Sequence, residues 1–322
     1  MRKSTSAGVL GAVTILLGLV SAALAQQTTP ADSLPFTLKP LGHNVYAAID
    51  SPKGAAGANA GFIIGDDGVV VVDTFVRLEA AKALLSEIRK LTPLPVKYVV
   101  NTHYHLDHTG GNRVFQDAGA AVIAHRNVPG WIHTENLKFF GQNIKPEQKA
   151  MVEALGAPNI VYDHTIGLSL GAVAVEINYF PGHTGGDSAV FIPSAGVVFG
   201  GDLFWNHTLP NLIDASSEPW ILTLAEFEKR APSATFVPGH GDVGKAADVE
   251  AFRGYLLDIR SMTEAPAKAG KTNDDLVSAV MPALEEKYGK WNFFQHFAKR
   301  NIADTAAEWS GTKKRPLPAK AD

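Results

Sequence analysis

A chain of 322 residues, 46% hydrophobic and 19% charged, is long enough for one large domain with a sizeable core. Its formal net charge of −3 gives no general electrostatic pull toward nucleic acid or anionic lipid, so no nucleic-acid partner is expected. Cysteine is absent, which excludes disulfides, a lipidated cysteine and thiolate ligands; any metal site must use nitrogen and oxygen donors.

The chain opens on the basic stretch "MRKSTS", then an uncharged apolar run over residues 7–20, then Ala23-Leu24-Ala25. This is the pattern of a secretory signal peptide cut after Ala25. Residues 7–25 are just long enough to span a bilayer, but the glycines and the small-residue end favour cleavage. The mature protein is therefore expected in the periplasm or secreted, with no stable membrane insertion after the signal is removed. A polar, proline-bearing lead-in follows, "QQTTPADSLP".

"NVYAAID" reads as a strand, and "AGFIIGDDGVVVVDT" as two strands joined at Asp66-Asp67-Gly68. Leu78, Ala81, Leu85, Ile88 and Leu91 recur at helical spacing. A strand "VKYVV", a histidine-rich stretch and a helix-plus-strand unit ending in "AAVIAH" come next. Residues 126–163 read as helical and loop-rich. The second half returns to strands in "AVAVEINYF", "SAVFI" and "GVVFGGD", the last two flanking a turn at 193–196. A helix near 222–230, a strand "ATFVP" and a helix over 252–262 follow. Residues 263–311 read as further helices. The expected organisation is a signal peptide over 1–25, an α/β layered domain over 26–262, and a helical C-terminal appendage with a basic tail over 263–322.

The stretch "NTHYHLDHTGGN" places three histidines and an aspartate directly after a strand. In extended backbone, residues i and i+2 point the same way, so His103 and His105 can present imidazoles to one point, with Asp107 and His108 a turn further on. Ligands gather at the carboxyl ends of strands in α/β folds. Three later stretches repeat the theme of an apolar strand, small residues and one ligand-type side chain: "FPGHTGGDS" with His183, "VFGGDLFW" with Asp202, and "FVPGHGD" with His240.

"THYHLDH", followed at long range by "PGHTGGD", "GGD" and "PGHG", resembles the HxHxDH signature of the metallo-β-lactamase superfamily over roughly residues 44–250. The resemblance implies a four-layer αβ/βα sandwich carrying a binuclear metal site at one edge. One metal would take His103, His105 and His183; the other would take Asp107, His108 and His240; Asp202 would bridge them. Asp73 would stand behind the ligands and orient them. Zinc, two ions per chain, is the expected cofactor, with iron or manganese as alternatives. Two cations roughly 3.5–4 Å apart make hydroxide available near neutrality, and Asp107 would orient that nucleophile.

The implied activity is hydrolysis of a small-molecule carboxylic ester, thioester, lactone or β-lactam by metal-bound hydroxide. Some lactamases of the family place cysteine where Asp202 stands and lysine three residues later; lactonases place tyrosine there, and this chain has Trp205. Two other readings stay open: a mononuclear iron sulfur dioxygenase-like enzyme, and a non-catalytic periplasmic zinc-binding protein. The oligomeric state is open. The segment "SPKGAAGANAG" lies where the family carries a flap over the metals. Asp187 reads equally as a partner behind the ligands or as a turn-stabilising residue. His125, His133, His164, His207 and His296 carry no ligand pattern. Trp131, Phe139, Phe140, Phe204 and Trp205 read first as core and second as pocket lining, and "WNFFQHF" as a helix face packed on the core.

N-terminal sequencing of the mature protein should start at Gln26, with the protein in the periplasmic or extracellular fraction. An intact Met1 in the membrane pellet would refute the cleaved signal.

Overall fold

The computed structural model describes residues 34–51 and 56–318. The expected signal peptide, its cleavage site and residues 52–55 of the glycine-rich segment lie outside the described residues.

Among the described residues, twelve strands form two mixed sheets. The first contains β1 (Phe36–Gly42), β2 (Val45–Asp50), β3 (Ala60–Ile64), β4 (Val69–Val72), β5 (Val96–Val100), β6 (Ala121–His125) and β7 (Ile160–Tyr162), in chain order across the sheet. It is antiparallel from β1 to β4 and parallel from β4 to β7. The second contains β8 (Thr165–Leu170), β9 (Val173–Tyr179), β10 (Ser188–Ile192), β11 (Val197–Trp205) and β12 (Thr235–His240), with β12 parallel to β11 and the others antiparallel.

Strand periodicity explains the layering. In β4, Val70 and Val72 enter the apolar layer between the sheets, where they meet Val175, Ile177, Val190 and Phe199 of the second sheet. Val69 and Val71 point the other way, onto the helix α1 (Leu78–Leu91). Both faces of the strand are therefore buried, as four consecutive valines require. On α1 the buried stripe is Ala80, Ala81, Leu84, Leu85 and Ile88. Leu78 and Leu91, expected on that stripe, are 45% and 47% exposed at its ends. The short helices α2 (Leu106–Thr109) and α3 (Asn112–Asp117) follow β5, and α4 (Val128–Trp131) and α5 (Pro146–Glu153) occupy the middle region.

The outer face of the second sheet is covered by α6 (Ser217–Arg230), α7 (Ala246–Lys268), α8 (Asn273–Tyr288) and α9 (Phe294–Trp309). The result is helix, sheet, sheet, helix: the four-layer sandwich that the resemblance implied. The junction placed at 262/263 falls inside α7, which runs on to Lys268. Leu276, Val280 and Leu284 of α8 and Phe294, Ala298 and Ile302 of α9 share one apolar cluster with Trp220, Phe227, Phe236 and Phe252. The C-terminal helices thus complete the fourth layer. β1, β7 and β8 were not assigned from the sequence.

Leu284→Ala removes a fully buried side chain from α8 and should cost about 2–5 kcal/mol. Urea denaturation of the mature protein should show that loss in its main transition. A separate transition for the C-terminal helices, with the main one unmoved, would make them an independent unit.

Candidate metal centre

All seven ligand-type residues come to one edge of the sandwich. His103 and His105 lie on the turn after β5, Asp107 and His108 on α2, His183 between β9 and β10, Asp202 within β11, and His240 at the end of β12. Two sets form: His103, His105, His183 and Asp202 in one, Asp107, His108 and His240 in the other, each with its ligand atoms within 4.8 Å of one another. Asp202 faces both. Its Oδ2 is 3.1 Å from His183 Nε2 and 3.6 Å from His103 Nε2, and its Oδ1 is 3.1 Å from His108 Nε2 and 3.5 Å from His240 Nε2. Asp107 Oδ2 closes the second set, 3.3 Å from His240 Nε2.

Close packing of backbone makes this possible. At Gly239 a Cβ would fall 1.9 Å from Asp202 Oδ1, so only glycine lets β12 pass the bridging carboxylate. Gly201 has φ +49°, and a Cβ there would strike Thr102 at 2.4 Å.

Hydrogen bonds outside the sets fix the tautomers of His103, His105 and His108. His108 Nδ1–H donates to Asp73 Oδ2 at 2.8 Å, which leaves Nε2 aimed inward. Thr102 donates its hydroxyl to Asp73 Oδ2 (2.7 Å) and accepts from His103 Nδ1–H (3.1 Å), so His103 also presents Nε2. His105 is turned round: its Nε2 lies 3.4 Å from Asp214 Oδ2, and its Nδ1 faces His183 Nε2 at 3.0 Å. Asp73 itself sits at φ 58°, pinned by Thr102 N–H at 2.8 Å.

Four of these inward atoms are buried yet make no hydrogen bond: His103 Nε2, His108 Nε2, His240 Nε2 and Asp202 Oδ1. A buried polar atom without a partner is costly. Lone pairs that converge at about 3 Å without bonding one another suit a cation between them, and imidazole with carboxylate is a donor set for zinc and similar divalent ions.

The charges are mutually adjusted. Burial alone would raise Asp202, but the histidines around it hold it well below the usual carboxylate range. Burial also opposes ionisation of Asp107, yet His108 and His240 hold it at about 2. His108 is disfavoured as a cation by burial but is raised well above its ordinary value by Asp202, Asp107 and Asp73.

Asp187 is 2% exposed and accepts from Thr184 N–H and Oγ1–H, both at 2.7 Å, so it stabilises the turn that carries His183. Trp205 does more than line a pocket. Its ring stacks on His240 with centroids 4.0 Å apart, and its Nε1–H donates to Asp202 O at 3.0 Å. Trp131 and Phe204 are core, whereas Phe139 and Phe140 line the cavity over the ligands. "WNFFQHF" divides: Phe294 enters the core, but Phe293, His296 and Phe297 line that cavity, because the first turn of α9 stands beside Trp205.

Sequence reasoning missed Asp214. It is 3% exposed and receives Tyr104 Oη–H and Lys138 Nζ (2.6 Å) besides His105. No local spacing announces it, since each partner is far away in sequence.

Burial opposes the Asp214 charge, but His105 and Lys138 hold its pKa below the ordinary value. A depressed carboxyl contributes stability above its unfolded pKa of about 3.9 and loses it as pH falls through the folded value. In metal-free protein, Asp214→Asn should therefore be destabilising at pH 7, and the difference from the parent should shrink below about pH 4. Thermal denaturation across pH checks this; a difference independent of pH would contradict it.

Comparison with known proteins agrees with this geometry. The profile of the metallo-beta-lactamase superfamily matches residues 54–240. A linear primary-alkylsulfatase of Pseudomonas sp. (strain ATCC 19151) is 24% identical over 271 residues, covering 69% of this chain; the match spans about half, 51%, of that relative's length. The probable metallo-hydrolase YqgX of Bacillus subtilis (strain 168) is 27% identical over 198 residues, 59% of this chain and 88% of that one. Among solved structures, a metallo-beta-lactamase from Pontibacter korlensis superposes with a TM-score of 0.57 at 25% identity, covering 69% of this chain and 99% of its own. With more than half of its length matched and its ligand-type residues gathered as described, the chain belongs to the metallo-β-lactamase superfamily.

Proposed function

We propose that this chain is an exported metal-dependent hydrolase that holds two zinc ions and cleaves a carboxylic ester, thioester, lactone or β-lactam. One observation carries the reading. Two sets of inward-facing donor atoms, four of them buried without a hydrogen bond, share the two oxygens of Asp202 at the floor of a cavity of about 450 Å³, a size that suits small-molecule sites. Relatives named as metallo-hydrolase and metallo-beta-lactamase support hydrolysis as the reaction class.

His103, His105, His183 and Asp202 would hold one ion, and Asp107, His108, His240 and Asp202 the other. Bound there, the ions would make hydroxide available near neutral pH and would polarise the scissile carbonyl. The residues of the chain do the rest. Asp107 is a third exposed to the cavity, and it stays ionised across the working pH range. From there its carboxylate accepts a proton from the attacking water and orients it toward the carbonyl. Asp202 fixes the spacing of the two sets, and Asp73 and Asp214 orient the rings of His108 and His105. The presence of two complete sets favours this reading over a mononuclear iron enzyme. The signal-like N-terminus supports export.

The test is metal content together with turnover on activated esters. Zinc-loaded protein should hold about two ions per chain, and Asp202→Ala should weaken both sites at once. Asp107→Asn should lose at least about a hundredfold in kcat, the scale for removing a general base. An Asp107→Asn variant that keeps both ions and the parent rate would remove the proton-accepting role. Full zinc loading with no turnover on any ester, thioester, lactone or lactam would leave a zinc-binding protein instead.

A further inference from the structure

The cavity over the two ligand sets is walled from several separate parts of the chain. Val76 follows β4, Leu106 opens α2, Phe139 stands on the turn Glu135–Phe140, Trp205 ends β11, and Phe293 and Phe297 flank the start of α9. Phe139 and Phe293 remain 40% and 48% exposed, although aromatic side chains are ordinarily drawn into the core. Each rests on a ligand ring. Phe139 meets His105 edge-on with centroids 4.9 Å apart, and Phe293 lies 6.1 Å from His240.

Phe293 is held there against its own backbone preference. Its φ is 60°, a left-handed conformation that bulky residues rarely adopt and that persists only where the surroundings enforce it. They do so here: Asn292 N–H donates to His207 O (3.0 Å), Leu209 N–H donates to Asn292 O (2.9 Å), and Phe297 N–H donates to Phe293 O (2.9 Å). Among the described residues the lining includes no lysine or arginine, and Lys138, next to Phe139, is turned to Asp214. Exposed aromatic rings set against metal-ligating histidines are surface that a substrate would cover.

Resting on the hydrolase reading, we propose that the substrate carries an uncharged apolar group beside its scissile carbonyl, an alkyl chain or aryl ring that packs against Phe139, Phe293 and Phe297. Phe293 sets the preference for that group. A carboxylate at the same place meets no lysine or arginine among the described lining residues, only His296 beside the aromatic rings, and would be left largely desolvated.

Binding and turnover are read separately on the zinc-loaded full chain. In calorimetric titrations with acetamide, butanamide and octanamide, affinity should rise by up to roughly fourfold per methylene buried, and by at least about tenfold from butanamide to octanamide. Suberic acid monoamide, of the same length but ending in a carboxylate, should bind at least about tenfold more weakly than octanamide. Phe293→Ala, and independently Phe139→Ala from another segment, should each remove most of the chain-length gain with zinc per chain unchanged. In turnover, 4-nitrophenyl octanoate should be preferred over the acetate in kcat/KM, and that preference should shrink in both variants. Affinity flat with chain length, or monoamide binding as tight as octanamide, overturns the inference whether or not any ester is cleaved. Chain-length-dependent binding with neither ester cleaved supports the apolar site and counts against ester hydrolysis as the reaction.

Discussion

One carboxylate between two groups of imidazoles is the constraint around which the molecule is arranged. Asp202 is 2% exposed and has an inward-facing imidazole nitrogen 3.1 Å from each of its oxygens. A buried carboxylate so placed is tolerable only when opposite charge surrounds it. The glycine at 239 gives it room, left-handed Gly201 just before it packs closely on Thr102, and Trp205 caps its carbonyl while bracing His240. Behind the histidines stand Asp73 and Asp214, two further buried carboxylates that accept the outward N–H of a ring and so dictate where its lone pair points.

The ligand-type residues were legible in the sequence because they lie in or just after apolar strands with small neighbours, and because His103 and His105 are two residues apart. Local pattern also gave most strands and the α/β layering. Where it failed, the cause is non-local. Asp214 acts on His105 and Lys138, 109 and 76 residues away, and nothing in its own neighbourhood signals that. β1 carries Pro40 and β8 alternates half-exposed with exposed residues. Both are edge strands, where proline is tolerated and a buried face is not demanded. β7 is three residues long. "WNFFQHF" reads as one face, but left-handed Phe293 breaks the helical phase and turns its ring toward the cavity over the ligand-type residues while Phe294 faces the core.

The C-terminal helices join stability to function. α8 and α9 share their apolar cluster with the second sheet's own helices, and the first turn of α9 reaches the cavity. The tail beyond α9 is tied back as well, through Trp131 Nε1–H to Leu317 O and Arg315 to Ser216. One segment thus seals the fourth layer and supplies aromatic wall to the site.

The ligand set also straddles the sandwich. His103, His105, Asp107 and His108 follow a strand of the first sheet, whereas His183, Asp202 and His240 belong to the second. An ion held by such a set is a cross-link between the two halves, formed by folding and lost on unfolding. Conformational stability and metal supply are then thermodynamically linked: free metal at a thousand times its dissociation constant adds about 4 kcal/mol per site to the folded state. With ions held in this way, resistance to unfolding and to proteolysis would track the free metal around the chain, and the lifetime of the molecule would itself report metal availability.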